Sequence, residues 1–476
     1  MLTTALILLP VVAAIVVAIL PLPREATAGL SFLVALLEVG LWITAVTQFD
    51  FDAGGAQLGT SREWVESLGI SYSVGLYGFS LWLVGATAVV FAAAIGYALW
   101  VGRERTRAYH ALMLFLLGAV VATFAAQDLL LFYVAFEAML IPLYVLVGVW
   151  GGARRQAATV TFVIYTMAGS LLMLASVVAF GVTQGTFSLT ASDTSDNVWI
   201  FLGFAIAFAV KAPLFPFHGW LPITYREAPV EVAAVLSAVV SKTAVYGFVR
   251  IAIPEFPEPA DDLSGLILVL ACAGLVYGSL LAFRAPDLRG VIAYSSMAQM
   301  GLITIGLFAF DDLGLDGAIL QSVAHALVSA AMFLLVGMVE RRCGTSDIDA
   351  LGGMARGRPS LATVVLIAGM IALAVPGSAT FAGEFLIMAG AYQQGWGYSV
   401  VVALGIVLAA MYTLRVISGI LHVKPGRAVS EEALDLRLGE LALVVPLLLL
   451  LLGLSLWPAL VSESAFVASA LEELVP

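Results

Sequence analysis

The chain has 476 residues, of which 62% are hydrophobic and 11% charged, and its formal net charge is −11. Soluble domains are about half apolar and a quarter charged, so this composition, with a mean hydropathy of +1.06, predicts an integral membrane protein. The acidic balance argues against nucleic-acid binding, because such proteins carry basic patches.

Fourteen apolar segments are long enough to cross a bilayer, since a spanning helix needs about 20 mostly apolar residues. They are centred roughly on residues 12, 38, 88, 118, 139, 168, 207, 240, 274, 299, 327, 375, 410 and 450. No strand pattern interrupts them. We therefore expect an all-α polytopic membrane protein, with residues 1–476 in a single membrane domain. The first segment has no basic start or clear cleavage site and is expected to be a retained helix.

Lysine and arginine are unevenly distributed among the predicted loops. With loops numbered by the span that they follow, sixteen of the 21 basic residues lie in odd loops, three lie inside spans, and Arg62 and Arg250 lie in even loops. Basic loops stay in the cytoplasm. This pattern predicts a multi-pass membrane protein, with odd loops in the cytoplasm and both termini outside.

The predicted spans form an N-terminal group and two blocks of five. Helices one to three cover residues 1–108, helices four to eight 109–252, helices nine to thirteen 263–422, and helix fourteen with the C-terminal tail 438–476. Because five is odd, a second block that follows the first must lie upside down relative to it. The order predicts two inverted repeats, an arrangement found in many transporters.

Each block contains one predicted span that is interrupted. Pro213 and Pro216 follow Lys211 in the seventh span, and Pro376 and Gly377 occur in the twelfth. Proline frees the carbonyl four residues earlier, and a bilayer tolerates free backbone only where it is buried in protein or lines a wet cavity. Broken helices in matching positions of two halves indicate an ion site.

Five of the ionisable residues inside predicted spans are the main candidates for a functional site, because each charge there costs about 2.5–3.5 kcal/mol on insertion scales. They are Glu137 in the fifth span, Lys211 in the seventh, Lys242 in the eighth, His325 in the eleventh and Glu384 in the twelfth. The structural alternatives are a permanently protonated glutamate, snorkelling lysines, a packing histidine and a helix-capping glutamate. We favour a proton path, because a nearby carboxylate changes the proton affinity of a lysine and an imidazole passes protons near neutrality.

Four further residues are weaker candidates. His218 follows the seventh-span break, Glu227 lies near a cytoplasmic boundary where a salt bridge is the alternative, and Gln299 lies in the tenth span. Arg415 could snorkel to the membrane surface.

Composition also argues against a cofactor or a metal site in this chain. Cys272 and Cys343 are too few and too far apart for an iron–sulfur site. No glycine-rich nucleotide motif follows a strand. Any redox chemistry is therefore expected in another chain.

Six motifs together are similar to one known family. FEAMLIPLY, KAPLFPFHGWLP, LSAVVSKTAVYG, YSSMAQMGL, AHALVSAAMFLLVG and VPGSATFAGEF resemble, in this order, the antiporter-like membrane subunits of respiratory complex I and of Mrp-type sodium/proton antiporters. The resemblance runs from about residue 64 to 420. Glutamate in the GEF motif, at Glu384, is typical of one subunit type, whereas its sister subunits usually carry lysine.

The resemblance implies a subunit that moves protons when quinone reduction elsewhere in a complex perturbs a line of charges. Glu137 and Lys211 would be a modulating ion pair, Lys242 the central relay, His325 a bridging group and Glu384 the terminal acid. Partners would be other membrane and peripheral subunits, including neighbouring antiporter-like ones, with flavin and iron–sulfur centres in the partners. The alternatives are an Mrp-type antiporter subunit, a subunit of an energy-converting hydrogenase or ferredoxin-linked complex, and a scaffold bundle.

Three positions depart from the family pattern. Gln299 stands where histidine is common, and an amide does not titrate, so water or His325 would have to carry that step. Tyr77 stands where an acid is common. The sequence ITYREAP after HGWLP lacks the usual Asp and His, which weakens the expected proton entrance on the cytoplasmic side.

Overall fold

The computed structural model describes residues 1–66, 69–190, 193–430 and 434–465. Residues 466–476, which belong to the predicted C-terminal tail, lie outside the described residues. Most of the described chain is helical, and the helices are numbered in chain order. They are α1 Leu2–Ile19, α2 Arg24–Gln48, α3 Gly78–Val101, α4 Thr106–Ala125, α5 Leu129–Trp150, α6 Arg155–Gln184, α7 Val198–Lys211, α8 Leu221–Glu227, α9 Val230–Glu255, α10 Pro257–Arg284, α11 Leu288–Leu307, α12 Asp312–Cys343, α13 Pro359–Ala372, α14 Ala379–Gln394, α15 Trp396–His422, α16 Leu438–Leu456 and α17 Ala459–Ala465.

Within the described ranges, twelve helices are long and apolar enough to cross a membrane. They are α1 to α6, α9 to α12, α15 and α16. The prediction of a polytopic helical membrane protein is confirmed. Two helices begin earlier than the predicted blocks, α4 at Thr106 and α10 at Pro257. The second early start follows from proline chemistry, because Pro257 occupies the first turn, where no backbone donor is needed.

Two shorter apolar helices end at the predicted breaks. α7 stops at Lys211, and α8 begins only at Leu221, after a 3₁₀ turn over Phe217–Trp220. α13 stops at Ala372, and α14 begins at Ala379, with Pro376 and Gly377 between them. Side chains satisfy part of the freed backbone: the Trp220 indole donates to the Val210 carbonyl, and the Thr380 hydroxyl donates to the Ile371 carbonyl.

The start of α13 is held by a residue that is distant in sequence. The Asp435 carboxylate accepts hydrogen bonds from the N–H groups of Ser360 and Leu361, both at 2.9 Å, and it therefore caps the helix. Burial raises the pKa of Asp435, but these bonds and that of the Leu436 N–H outweigh burial and hold the pKa below its usual value.

The expectation that the chain has no strands is wrong. Between α2 and α3, strand β1 (Gln57–Val65) pairs antiparallel with strand β2 (Ile70–Leu76). Polar and apolar residues alternate along Ile-Ser-Tyr-Ser-Val, which is the period-two pattern of a half-buried strand. The segment is short and lies in a loop, so a search for 20-residue apolar runs does not detect it.

Burial separates the inner helices from those at the outside. The most apolar window of α9 is 100% buried and that of α12 is 94% buried, whereas the values for α1 and α2 are 33% and 28%. α12 packs against α11, α14 and α16, and α10 packs against α11 and α15. The central helices α9, α11 and α12 thus place their side chains inside protein and not against lipid.

Candidate functional site

Lys211 is the last residue of α7 and is almost completely buried. Its Nζ lies 3.5 Å from the Phe136 carbonyl oxygen and 4.2 Å from the centre of the Phe136 ring. A buried ammonium group is stabilised by such a carbonyl and by the negative face of an aromatic ring. The helix break therefore places a cation against α5, within the protein.

Glu137 follows Phe136 on α5 and is partly exposed. The helix is interrupted at Met139, next to Ala138, whose carbonyl Pro142 leaves without its usual donor. Among the described residues, no ion pair within 4.0 Å joins Glu137 to Lys211, although the two charges interact electrostatically. The arrangement brings the predicted pair close together but leaves it open.

Lys242 and His325 are in direct contact at the centre of the molecule. Lys242 Nζ lies 2.6 Å from His325 Nδ1, and it also donates to the Ser237 carbonyl oxygen at 2.8 Å. Both side chains are buried. Lys242 lies between two π-helical segments of α9, Leu236–Val240 and Phe248–Ala252, and such bulges occur frequently at functional sites.

A cluster of three serines lies beside Lys242, since one of them, Ser237, supplies the carbonyl oxygen that Lys242 contacts. Ser237 Oγ is 3.0 Å from Ser296 Oγ and 2.6 Å from Ser329 Oγ, and all three side chains are buried. The cluster joins α9, α11 and α12. Nothing in the sequence distinguishes these serines from other serines of the spans, apart from the proximity of Ser237 to Lys242 and of Ser329 to His325 in the chain.

A second group of hydrogen-bonded side chains contains Glu384. Gln299 Nε2 donates to Glu384 Oε1 at 2.9 Å, and Gln321 Nε2 donates to Gln299 Oε1 at 2.7 Å. Glu384 Oε2 has no hydrogen-bond partner in the described chain. Gln321 was not predicted from the sequence; it lies four residues before His325, on the same face of α12. That spacing is the signal that could have identified it.

A cavity of about 50 Å³ connects the two groups. His325, Gln299, Gln321 and Ser329 line it, together with Tyr412 from α15. Each water molecule needs roughly 10–15 Å³ of such volume and two or more polar partners. The cavity therefore has room for about three to five waters between the histidine and the amide groups that lead to Glu384.

Of the four weaker candidates, Gln299 lies within this line of contacts, whereas the other three lie outside it. The His218 ring stacks on Phe215, and its Nδ1 has no hydrogen-bond partner in the described chain. Glu227 accepts a hydrogen bond from the backbone N–H of Arg154 at 2.8 Å, next to an ion pair with that side chain. Arg415 donates to the carbonyls of Phe283 and Ala285 at the end of α10. Glu227 and Arg415 therefore hold connecting segments together.

Sequence reasoning also missed a buried carboxylate at the start of α9. Glu231 accepts hydrogen bonds from Arg103 Nε and Nη2 at 2.6 and 2.7 Å and from Tyr109 Oη at 2.5 Å. The neighbouring His110 is buried, and neither ring nitrogen has a partner in the described residues. Glu231 lies one residue inside its helix, so hydropathy alone assigns it to the membrane surface.

No grouping of three or more histidine, cysteine, aspartate and glutamate side chains suited to a metal ion occurs in the part of the chain that the structure describes. The groups that come together are ammonium, imidazole, hydroxyl, amide and carboxyl. All of these can donate or accept hydrogen bonds. The arrangement can therefore pass protons.

Comparison with known proteins gives a consistent result. Residues 126–411 match the profile of the family described as NADH:quinone oxidoreductase/Mrp antiporter, TM. The chain is 34% identical over 455 residues to NADH-quinone oxidoreductase subunit M of Rhodobacter capsulatus, covering 91% of this chain and 86% of that protein.

Solved structures agree with the sequence relatives. A chain of respiratory complex I from Thermus thermophilus with bound NADH matches with a TM-score of 0.90 at 32% identity, covering 100% of both chains. A chain of the Mrp complex from Dietzia sp. DQ12-45-1b matches with a TM-score of 0.88 at 22% identity, covering 100% of this chain and 98% of that one. The second likeness shows the fold alone.

Proposed function

Because the chain belongs to the family of NADH:quinone oxidoreductase and Mrp antiporter membrane subunits, we propose that it acts as a proton-translocating subunit of an NADH:quinone oxidoreductase. Protons move along a line of buried groups at mid-membrane, and quinone reduction elsewhere in the complex drives them. The observation that carries the proposal is the 2.6 Å contact of Lys242 with His325, next to a polar cavity that reaches Gln299.

The Lys242 and His325 contact defines one proton-transfer step. An ammonium group has three donors and no lone pair, so in this contact a protonated Lys242 donates and Nδ1 of a neutral His325 accepts. Transfer of that proton leaves a neutral amine and an imidazolium. The imidazolium can release a proton from Nε2 toward the cavity, because the two ring nitrogens act independently.

Beyond the cavity, Glu384 is the terminal acceptor in this chain. Gln299 and Gln321 do not titrate, but each amide offers a donor and an acceptor. They orient water in the cavity and hold one Glu384 oxygen, while Glu384 Oε2 stays free to take the proton. In this assignment no histidine is needed at position 299, because water in the cavity carries the proton and the Gln299 amide orients that water.

Glu137 and Lys211 supply the coupling in this proposal. In the structure Lys211 contacts Phe136 and forms no ion pair within 4.0 Å with Glu137. A charge change in a neighbouring subunit that moves Glu137 toward Lys211 would close the pair and hold the lysine protonated. Opening the pair would release the proton toward Lys242. The interrupted α5 and α7 give both side chains room to move.

Topology and location complete the proposal. We assign α7 with α8, and α13 with α14, to one broken crossing each, which makes fourteen crossings with the twelve long helices and two inverted blocks of five. The distribution of basic residues then places odd loops in the cytoplasm and both termini outside, in a bacterial inner membrane. Flavin and iron–sulfur centres belong to partner subunits, and neighbouring antiporter-like subunits adjoin this chain.

Sodium transport, the first rival, is disfavoured by the chemistry of the central groups. Hard cations select carboxylate, carbonyl and water oxygens, whereas the middle of the line is an ammonium group against an imidazole. A sodium ion at this point would be repelled by Lys242. The Mrp likeness is one of fold and carries no argument for sodium.

Replacing Lys242 tests the proposal. The complex that contains Lys242→Met is reconstituted in liposomes, and proton uptake is measured per NADH oxidised. We expect proton uptake to fall by about 100-fold, a typical contribution of one proton-transfer group, with sodium uptake absent in both forms. The chain has two other lysines, and exposed Lys424 is the matched control, since Lys424→Met removes the same charge outside the site. Unchanged proton uptake in a fully assembled Lys242→Met complex contradicts the proposed path.

A further inference from the structure

A second cavity lies on the other side of α12 from His325, between α2, α3, α12, α16 and α17. Its volume is about 190 Å³, and the described residues that line it are tryptophan, leucine, valine, alanine and glycine. Trp42 and Trp82 meet edge to face on one side, with ring centres 6.2 Å apart. The cavity therefore contrasts with the small polar one beside His325.

Among the described residues, the side chains that line this cavity have no hydrogen-bond donor left for a polar ligand. The Trp42 indole N–H donates to the Leu81 carbonyl at 2.9 Å, and the Trp82 indole N–H donates to Ser464 Oγ at 2.8 Å. An apolar cavity of 150 Å³ lined by aliphatic and aromatic residues stays dry and accepts benzene or xenon. A space of 190 Å³ with such walls selects hydrocarbon and excludes water.

The mouth of the cavity faces the bilayer. Leu449 on α16 is 61% exposed, and Gly453, one turn further on, is also exposed. A Cβ atom added to Gly453 would meet nothing within 4 Å, so no atom of the described residues covers this point. α16 is one of the membrane-crossing helices and only 33% of its apolar window is buried. The material that reaches the mouth is therefore the acyl region of the membrane.

We propose that this cavity binds one acyl chain of a membrane lipid. The hydrocarbon enters beside Gly453, passes under α17 and packs on the face formed by Trp42, Trp82 and α12. The head group stays outside, because the wall offers it no polar contact. The proposal depends only on the membrane location of the chain and not on the path of the protons.

The bound chain supports the back of the helix that carries His325. Val323 and Leu327 line the cavity, and each is two residues from His325. Successive residues turn by about 100° around a helix, so residues two apart point to nearly opposite sides. The lipid chain packs behind α12, while His325 on the front contacts Lys242.

Photolabelling tests the site in the intact complex. The complex is reconstituted with phosphatidylcholine that carries a diazirine within one acyl chain, irradiated and mapped by mass spectrometry. α3 is the informative wall, because its apolar window is 89% buried and bulk lipid does not reach it. We expect label on residues 82–89 of α3 in the wild-type complex. Absence of label there, with α1 labelled, overturns the proposal.

A plug at the mouth provides the matched comparison. Gly453→Phe adds a ring where the structure leaves open space, and we expect it to lower α3 labelling at least fivefold while α1 labelling stays constant. Gly439→Phe is the control: it lies on the same helix, fourteen residues earlier and on nearly the same face, also with nothing within 4 Å of an added Cβ. Equal α3 labelling in the two variants refutes entry beside Gly453.

A measurement on the unaltered protein avoids any folding defect of the variants. An experimental density map of the wild-type complex in lipid nanodiscs is expected to show tubular density in the cavity that continues into the bilayer. Density that continues instead from residue 465, or from a helix of a neighbouring subunit, would show that protein fills the cavity. Either result would overturn the proposal, and so would an empty cavity.

Discussion

Two regions of the molecule each contain a buried glutamate inside the membrane, and the two glutamates differ in their hydrogen-bond partners. Glu384 on α14 accepts a hydrogen bond from Gln299, next to Gln321 and a polar cavity. Glu38 on α2 has no exposed surface either, yet both of its carboxyl oxygens lack a hydrogen-bond partner within the described residues. Both acids are buried, so burial alone does not distinguish them.

The difference is one of connection. A proton moves only between groups that are in hydrogen-bond contact or that water can bridge. In the region of α9, α11, α12 and α14, such contacts lead from Lys242 to Glu384 with one gap. The gap lies between His325 and the amides of Gln299 and Gln321, where the cavity has room for bridging water. The region of α1 to α3 contains an isolated acid. An intramembrane charge therefore indicates a functional site only when it has neighbours that can share its proton.

The largest expected effect comes from removing the connected acid. Glu384→Leu deletes the terminal acceptor, and we expect proton uptake per NADH oxidised to fall by about 100-fold in reconstituted liposomes. Glu384→Gln is the matched variant, since it keeps a hydrogen bond to Gln299 but cannot take a proton. Both should lose uptake equally. Normal proton uptake with Glu384→Gln would show that Glu384 has only a structural role and that protons do not pass along these hydrogen bonds.

A smaller effect is expected from the amide between the two groups. Gln299→Leu leaves Gln321 and Glu384 without their buried partner, which costs about 1–3 kcal/mol of stability. It also removes the amide that orients water in the cavity, so we expect proton uptake to fall by less than the roughly 100-fold loss typical of a proton-transfer group. Gln299→His restores a donor and an acceptor at the same place, and we expect it to recover uptake. The measurement is the initial rate of proton uptake at equal assembly. Full activity of Gln299→Leu would place α11 outside the path.

Much of the fold could be predicted from the sequence because its signals are local. Runs of apolar residues identified the crossings, and Pro213, Pro216, Pro376 and Gly377 lie between the helices that end there. These signals depend on backbone chemistry within a few residues. The hairpin at Gln57–Leu76 was missed because its alternating pattern is short.

The contacts of the site could not be predicted in the same way. Lys242 and His325 are 83 residues apart, and only the packing of α9 on α12 joins them. The spacing of Gln321 from His325 places it on the same helix face, but its contact with Gln299 follows only from the packing of α12 on α11. The sequence suggested Glu137 and Lys211 as a pair, but it gave no sign that the lysine contacts Phe136. Distances between distant residues follow from packing, which a single sequence does not contain.

The smallest effect, and the sharpest test of the comparison, concerns the isolated acid. Glu38→Leu replaces a buried group that has no partner by an apolar one of similar size, so we expect stability to rise by about 1–3 kcal/mol and proton uptake to stay unchanged. The midpoint of thermal unfolding in lipid nanodiscs measures the stability, and the liposome assay measures proton uptake. Glu38→Gln keeps an unpartnered polar group and should give no gain. Reduced proton uptake with Glu38→Leu would mean that α2 also carries protons, and that an acid without visible partners can belong to a path.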